Sequence, residues 1–406
     1  MMKKLLFASA YLLCAAVRTS AAARAKDVWV GSWANSPMLT LIKDGASDRT
    51  FRSVAHLSLG GSAIRVVLTN QSGTTRLRIG SAHVALPAGA SKVQPGTDHQ
   101  LLFNRQPSVT IPTGSFVLSD PLPMEVSAFA DVAISVYVPQ QTVDAPTCHP
   151  WGLWRTYAAP GDQTSEIELR TTQTQIATCF VQSVAVRTED KNSAAVAALG
   201  DSITDGAYST MDANRSYPDV LARRLHASKN TAHLAVLNEG TSGGRVLYDG
   251  HGPSVLSRFD SDVLAQPGVR YVIYMEGIND IGQILKPESI EKDLAVSELI
   301  FAATQLVTRA HQHGVKVIGG TILAFGAKDT PKTPEWLRVR QVINDYNDWE
   351  RNSHTFDGVV DFNKVTADPQ APDTLLPAFD HGDHTHPNDA GYEAMANAIR
   401  LDDFLN

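Results

Sequence analysis

The feature that most constrains this fold is a change of hydrophobic pattern near residue 190. Upstream, short runs alternate apolar and polar residues and are broken by Gly, Pro, Asn and Asp. They include AIRVVLTNQSG (63–73), LRIGSAHVAL (77–86), SVTIPTGSFVLSD (108–120) and DVAISVYVPQ (131–140). A period of two with turn residues between runs predicts antiparallel strands. Several such strands with no long helical stretch predict an all-β sandwich of jelly-roll type. Downstream the apolar runs become continuous: AAVAALG (194–200), HLAVLNEG (233–240), VRYVIYMEG (269–277), VKVIGGTIL (315–323) and GVVDF (358–362). Helical periodicity falls between them, over 215–229, 253–266, 286–313 and 334–353, and again over 388–403. Continuous buried strands alternating with amphipathic helices predict an α/β domain, a parallel sheet with helices on both faces joined by right-handed crossovers. No repeat of fixed period is present. The charged, apolar-poor segment 187–193 (RTEDKNS) sets the expected boundary, giving domains at 26–189 and 190–406.

A chain of 406 residues is long enough for two domains, each with its own core. Its start is expected to be removed. Lys3 and Lys4 precede an apolar stretch from Leu5 to Val17 that is too short to span a bilayer. Small-x-small patterns follow at Ser20–Ala22 and Ala23–Ala25, so residues 1–25 read as a secretory signal peptide. The expected location is secreted or periplasmic, with no stable membrane insertion after cleavage. Loss of that segment removes four basic residues and no acidic ones, taking the net charge from −7 to about −11. With no basic stripe, nucleic acid is excluded as a partner. Two cysteines then remain, Cys148 and Cys179, and in an oxidising compartment such a pair is expected to form one disulfide.

Chemistry on an open parallel sheet gathers outside the carboxyl ends of its strands. The first strand ends in Gly200-Asp201-Ser202, and the second in Asn238-Glu239-Gly240-Thr241-Ser242-Gly243-Gly244. The third ends in Gly277-Ile278-Asn279-Asp280, and Asp383-His384-Thr385-His386 precedes the last helix. These residue types meet the needs of ester hydrolysis. A serine hydroxyl needs a base, which His386 can supply to Ser202. The imidazole needs an acceptor to fix its tautomer, which Asp383 can supply. The oxyanion needs preorganised donors, and the Ser202 N–H, the Gly243 N–H and the Asn279 side-chain amide make three. Each signal is weak by itself; together, in this order and at these strand ends, they are specific.

These four blocks resemble the SGNH (GDSL-type) serine esterases. The resemblance rests on Ser202 in GDSITDG, Gly243 in NEGTSGG, Asn279 in GIND and His386 in DHTHPN, and it covers the chain from about residue 190 to the end. It implies a flavodoxin-like three-layer α/β/α domain, with Ser202 as nucleophile, His386 as base and Asp383 completing the triad. It also implies that neither cofactor nor metal is required. Gly244 stands where relatives often carry Asn or Asp, which leaves Gly244 open as the glycine donor. VWVGSWANSPM and LGGSAIRVVLTN look like the sandwich of a two-domain secreted subgroup that resembles arylesterases and acetylesterases of xylan-degrading bacteria. The implied substrate is a short acyl ester, chiefly acetyl, on a carbohydrate or aryl alcohol.

Other readings of the same residues stay open. Gly240-Thr241-Ser242-Gly243-Gly244 satisfies G-x-S-x-G, but helix breakers follow it where a nucleophile elbow runs into a helix. His381, Asp383, His384 and His386 are close enough in sequence for a metal site. The same triad serves lysophospholipases, lipases and polysaccharide O-acetyltransferases. Trp151, Trp154 and Tyr157 read either as sugar platforms or as packing anchors at the domain junction. Asp205 and Arg245 read as loop organisers, and His149 is a candidate to reach the active site, with no motif to fix its place. Oligomeric state is not encoded in any motif.

Overall fold

The computed structural model describes residues 28–405 except 41, 43, 44, 171 and 176, so the expected signal peptide lies outside the described residues. The alternating runs form two large antiparallel sheets and a two-stranded pair of Leu77–Ile79 with Val109–Ile111. One is ordered Val28–Ala34, Val181–Thr188, Gly61–Asn70 and Leu122–Val126, with Ser115–Leu118 also paired to Gly61–Asn70. The other is ordered Gln173–Gln175, Thr156–Pro160, Arg49–His56, Asp131–Val138, Ser81–Ala85 and His99–Gln100. Ile64, Val66, Val184 and Val186 from the first sheet meet Phe51, Val84, Ile134 and Val136 from the second in one core.

Five parallel strands follow: Ala194–Gly200, Leu234–Gly240, Val269–Met275, Lys316–Gly320 and Gly358–Val360. In spatial order they run 2-1-3-4-5, the flavodoxin-like order, whose switch point lies beside the first strand. Helices α2 (Tyr217–Ala227), α7 (Phe362–Thr366) and α8 (Asp389–Ala398) cover one face, where Val196, Ala198, Tyr271 and Ile273 point. Helices α3 (Val255–Phe259), α5 (Val296–Gln312) and α6 (Pro334–Asn352) cover the other, where Ala197, Leu199, Val272 and Tyr274 point. One expectation is corrected: residues 286–295 are turns, and helix begins only at Val296. Pro287 lacks an N–H, and the Glu298 carboxylate accepts the Ala295 N–H to start the helix there.

The two parts share an apolar seam. Leu237, Ala235 and Ala195 of the parallel sheet belong to the same apolar cluster as the sandwich core. At Gly31 the strand Val28–Ala34 passes so close that an added Cβ would lie 2.9 Å from Leu237 Cδ1.

Candidate active site

The first parallel strand ends at Gly200 and turns at once into the four-residue helix α1 (Ser202–Asp205). A side chain at 200 would strike the Met275 carbonyl oxygen at 2.3 Å, so only glycine permits this turn. Asp201 caps α1 by accepting the Ile203 N–H at 2.9 Å. Ser202 is the first helical residue, and its N–H therefore has no acceptor in the helix.

The last loop brings the base to this serine. The Ser202 hydroxyl meets His386 Nε2 at 2.8 Å, and His386 Nδ1–H donates to Asp383 Oδ2 at 2.6 Å. The other Asp383 oxygen accepts the backbone N–H groups of His386 (2.9 Å) and Thr385 (3.0 Å). Partial burial works to raise the Asp383 pKa, but the hydrogen bonds from His386 and Thr385 outweigh it and hold the carboxyl below its ordinary range. Asp380 shapes the same loop. It accepts from Gly382 N (2.8 Å) and His384 N (3.1 Å), and its second oxygen pairs with His384 Nδ1 at 2.6 Å. His384 is thus engaged in a turn of its own, and His381 stacks on Tyr208 with ring centroids 4.2 Å apart. Among the described residues no group of three His, Cys, Asp or Glu could hold a metal ion.

Gly243 and Asn279 arrive from the second and third strand ends. Gly243 adopts φ +74°, and a Cβ there would lie 2.4 Å from the His251 ring, so glycine is required twice over. The Gly244 N–H is committed to the Thr241 carbonyl at 2.7 Å, whereas among the described residues the Gly243 N–H meets no acceptor. Asn279 lies in α4 (Ile278–Ile281), and its Nδ2 donates to the Gly244 carbonyl at 2.9 Å. That carbonyl selects the amide orientation and leaves the second N–H of the amide unused. Asp280 pins the same loop by accepting from Val246 N (2.8 Å) and Leu247 N (3.1 Å), and burial pushes its carboxyl up to about 6 against those bonds.

Ser202, Gly243, Asn279 and His386 all open onto one cleft of ≈ 730 Å³. Its walls are Trp151, Leu153, Tyr208, Met211, Ile278, Leu285 and Phe325. Trp151 and Leu153 come from the sandwich. Trp151 is 47 % exposed and leans on the His251 ring, 5.2 Å between centroids. Trp154 instead ties the domains together, donating from Nε1 to Asn214 Oδ1 at 2.7 Å. Tyr157 lies in the strand Thr156–Pro160, away from the cleft lining. Arg245 organises its loop through Glu291 and the Asp249 carbonyl.

Among the described residues the rival serine meets no imidazole. The Ser242 hydroxyl donates to Asp205 Oδ2 at 2.6 Å, so a carboxylate, not an imidazole, accepts its hydrogen bond. Three residues that sequence reasoning did not find also shape the site. Tyr208 meets the His386 ring edge-on at 5.1 Å, in a left-handed conformation of φ 65°. Glu276 is buried beside Asp201, and Ser36 of the sandwich is wholly buried under the second strand end. No short motif marks these positions. Cys148 and Cys179 pair in register on neighbouring strands and form a disulfide.

The GDSL-like Lipase/Acylhydrolase family matches residues 198–394. A search of curated proteins found no match. Similar solved structures include the acetylxylan esterase Axe2 from Geobacillus stearothermophilus, at 23% identity and TM-score 0.37, covering 51% of this chain and 94% of that one. An α/β hydrolase, LAE5, from the metagenome of Lake Arreo is 24% identical with TM-score 0.41, over 52% of this chain and 96% of its own. A protein of the G-D-S-L family from Desulfitobacterium hafniense is 22% identical with TM-score 0.38, over 52% and 99%. The carboxy-terminal part of this chain is therefore a GDSL-like lipase/acylhydrolase domain, and its class of activity is carboxylic ester hydrolysis.

Proposed function

We propose that this chain is a secreted serine esterase that removes short acyl groups, chiefly acetyl, from carbohydrate or aryl esters through an acyl-enzyme. The observation that carries this reading is the unbroken line Ser202 Oγ, His386 Nε2, His386 Nδ1, Asp383 Oδ2 at the mouth of the cleft. His386 Nε2 takes the Ser202 proton as Oγ attacks the ester carbonyl. Asp383 keeps the proton on Nδ1 and stabilises the imidazolium that forms. The oxyanion is received by the N–H groups of Ser202 and Gly243 and by the Asn279 amide. Collapse expels the alcohol, which takes the proton held on Nε2. A water, deprotonated by the same nitrogen, then attacks the acyl-enzyme and releases the acid. The aromatic and aliphatic cleft walls suit an aryl group or the apolar face of a sugar ring. Secretion is supported by the disulfide, which persists in oxidising compartments.

The test is turnover of p-nitrophenyl acetate by wild type, Ser202→Ala and Ser242→Ala, followed by acetylated xylo-oligosaccharides. Ser202→Ala is expected to lose about 10⁴-fold or more in kcat, and Ser242→Ala to keep measurable turnover. An active Ser202→Ala would end the triad reading. Acyl transfer to added sugar in preference to water would replace esterase by acyltransferase.

A further inference from the structure

The β-sandwich reaches the active-site loop through one buried line of polar groups. His149, 5 % exposed, lies on the strand Thr147–His149. Its Nδ1 faces the Ser36 carbonyl at 2.8 Å and its Nε2 faces Asp205 Oδ1 at 3.1 Å. Both partners are acceptors, so both ring nitrogens carry hydrogen and His149 is an imidazolium. Burial alone would lower its pKa, yet the facing Asp205 carboxylate outweighs burial and raises it. The second Asp205 oxygen accepts the Ser242 hydroxyl at 2.6 Å. The Gly243 N–H lies in the peptide plane between Ser242 and Gly243. Anchoring the Ser242 side chain therefore fixes the direction in which that N–H points.

We propose that His149 is a positioning residue for ester hydrolysis: through Asp205 and Ser242 it aims the Gly243 N–H at the oxyanion. This rests on the triad reading above. The line crosses from one domain to the other, so the sandwich forms part of the catalytic apparatus. The opposite side of the loop is held within the hydrolase domain, by the Gly244 bonds to Thr241 and Asn279. Loss of the His149 line would leave the loop in place but let the Ser242–Gly243 peptide swing, which weakens transition-state binding more than substrate binding.

The experiment measures kcat and KM on p-nitrophenyl acetate for wild type, Ser242→Ala, His149→Ala, His149→Gln, the His149→Ala/Ser242→Ala pair and Ser202→Ala, with thermal melts of each. Ser242→Ala and His149→Ala are expected to lose about tenfold in kcat at nearly unchanged KM, a fraction of what deleting an oxyanion donor costs. The pair is expected to lose no more than the worse single variant, because the two act through one line. His149→Gln keeps a donor near the Nε2 position and is expected to recover most of the loss. A folded Ser242→Ala with wild-type kcat overturns the proposal, as do losses that multiply in the pair. If His149→Ala does not fold, Ser242→Ala and His149→Gln decide the matter. An active Ser202→Ala would instead indict the triad and leave the effect of His149 without this interpretation.

Discussion

Asn279→Ala separates the two jobs of one amide. In the folded chain Nδ2 gives one hydrogen to the Gly244 carbonyl at 2.9 Å, and that bond turns its other hydrogen toward the cleft shared with Ser202 and His386. On the proposed mechanism, deleting the amide removes one of three oxyanion donors, worth about 10²–10³ in kcat, or about 2.7–4 kcal/mol of transition-state stabilisation. It also frees a partly buried carbonyl, at a cost of about 0.5–1.5 kcal/mol in stability. The Thr241–Gly244 bond and the two Asp280 bonds remain, so the loop keeps its course. The expected outcome is a folded protein, melting a few degrees lower, with kcat on p-nitrophenyl acetate down at least a hundredfold and KM within about threefold. Steady-state kinetics beside a thermal melt give both numbers. A kcat within threefold of wild type would refute the placement of Asn279 in the oxyanion site. A loss carried wholly by KM would show that the amide binds the ground state as tightly as the transition state.

Two further predictions concern stability. Burial pushes the Asp201 and Asp280 carboxyls up to about 6, so the folded chain holds their protons to higher pH than the unfolded chain, and stability falls as pH rises from about 4 to about 6. Each contributes on the order of 3 kcal/mol across that window, at 1.36 kcal/mol per pKa unit. The raised His149 pKa acts in the same sense above about pH 6.5, where its contribution is lost as the folded-state proton leaves. Tm measured in matched ionic strength is therefore expected to fall from pH 5 to pH 8, and a Tm that rises over that range would contradict these burial assignments. The Cys148–Cys179 bridge spans 31 residues, and loop-closure entropy assigns it about 3–4 kcal/mol. Cys148→Ser/Cys179→Ser is expected to lose that much in urea titration. A loss under about 1 kcal/mol would mean that strand pairing alone holds this segment in the unbridged chain.

The parallel strands were legible because buried strands of an open sheet are apolar on both faces and stop abruptly. AAVAALG coincides with the observed strand Ala194–Gly200, and Ser202 and Asn279 lie just beyond strand ends, where the topology places candidate sites. The sandwich runs were legible by alternation, although LRIGSAHVAL proves to be two strands in different sheets, Leu77–Ile79 and Ser81–Ala85. What could not be read was partnership across long separations. Ser202 and Ser242 both follow buried strands, and only the third dimension gives one an imidazole and the other a carboxylate. Tyr208, Ser36 and Glu276 act through neighbours more than a hundred or several tens of residues away, and no local pattern signals such contacts. The helix expected over 286–313 begins only at Val296 for a local reason: the apolar spacing continues through a proline and a run of turns that spacing alone does not penalise.

The floor beneath Ser202 gathers four buried acids around one guanidinium. Arg258, 4 % exposed, is the cation among four buried acids: Asp201, Glu239, Asp262 and Glu276. Its Nη2 donates to the Gly200 carbonyl at 3.0 Å, and its Nη1 to the Glu239 carbonyl at 2.9 Å and to Ser36 Oγ at 2.8 Å. Four carboxylates around one guanidinium would leave a strongly negative platform under the place where an oxyanion must form. Such a field would oppose the transition state that the three N–H donors are set to receive. Burial, reinforced by neighbouring carboxylates, holds Glu276 and Glu239 well above the ordinary range, which favours their uncharged forms. Asp262 pairs with Arg258 at 3.1 Å. The Asp205 charge, a few residues away, is balanced by the His149 imidazolium from the other domain. Each of these lowers the negative charge of the platform. The sandwich contributes to that balance twice, once through His149 and once through Ser36, which bridges Arg258 and Glu239.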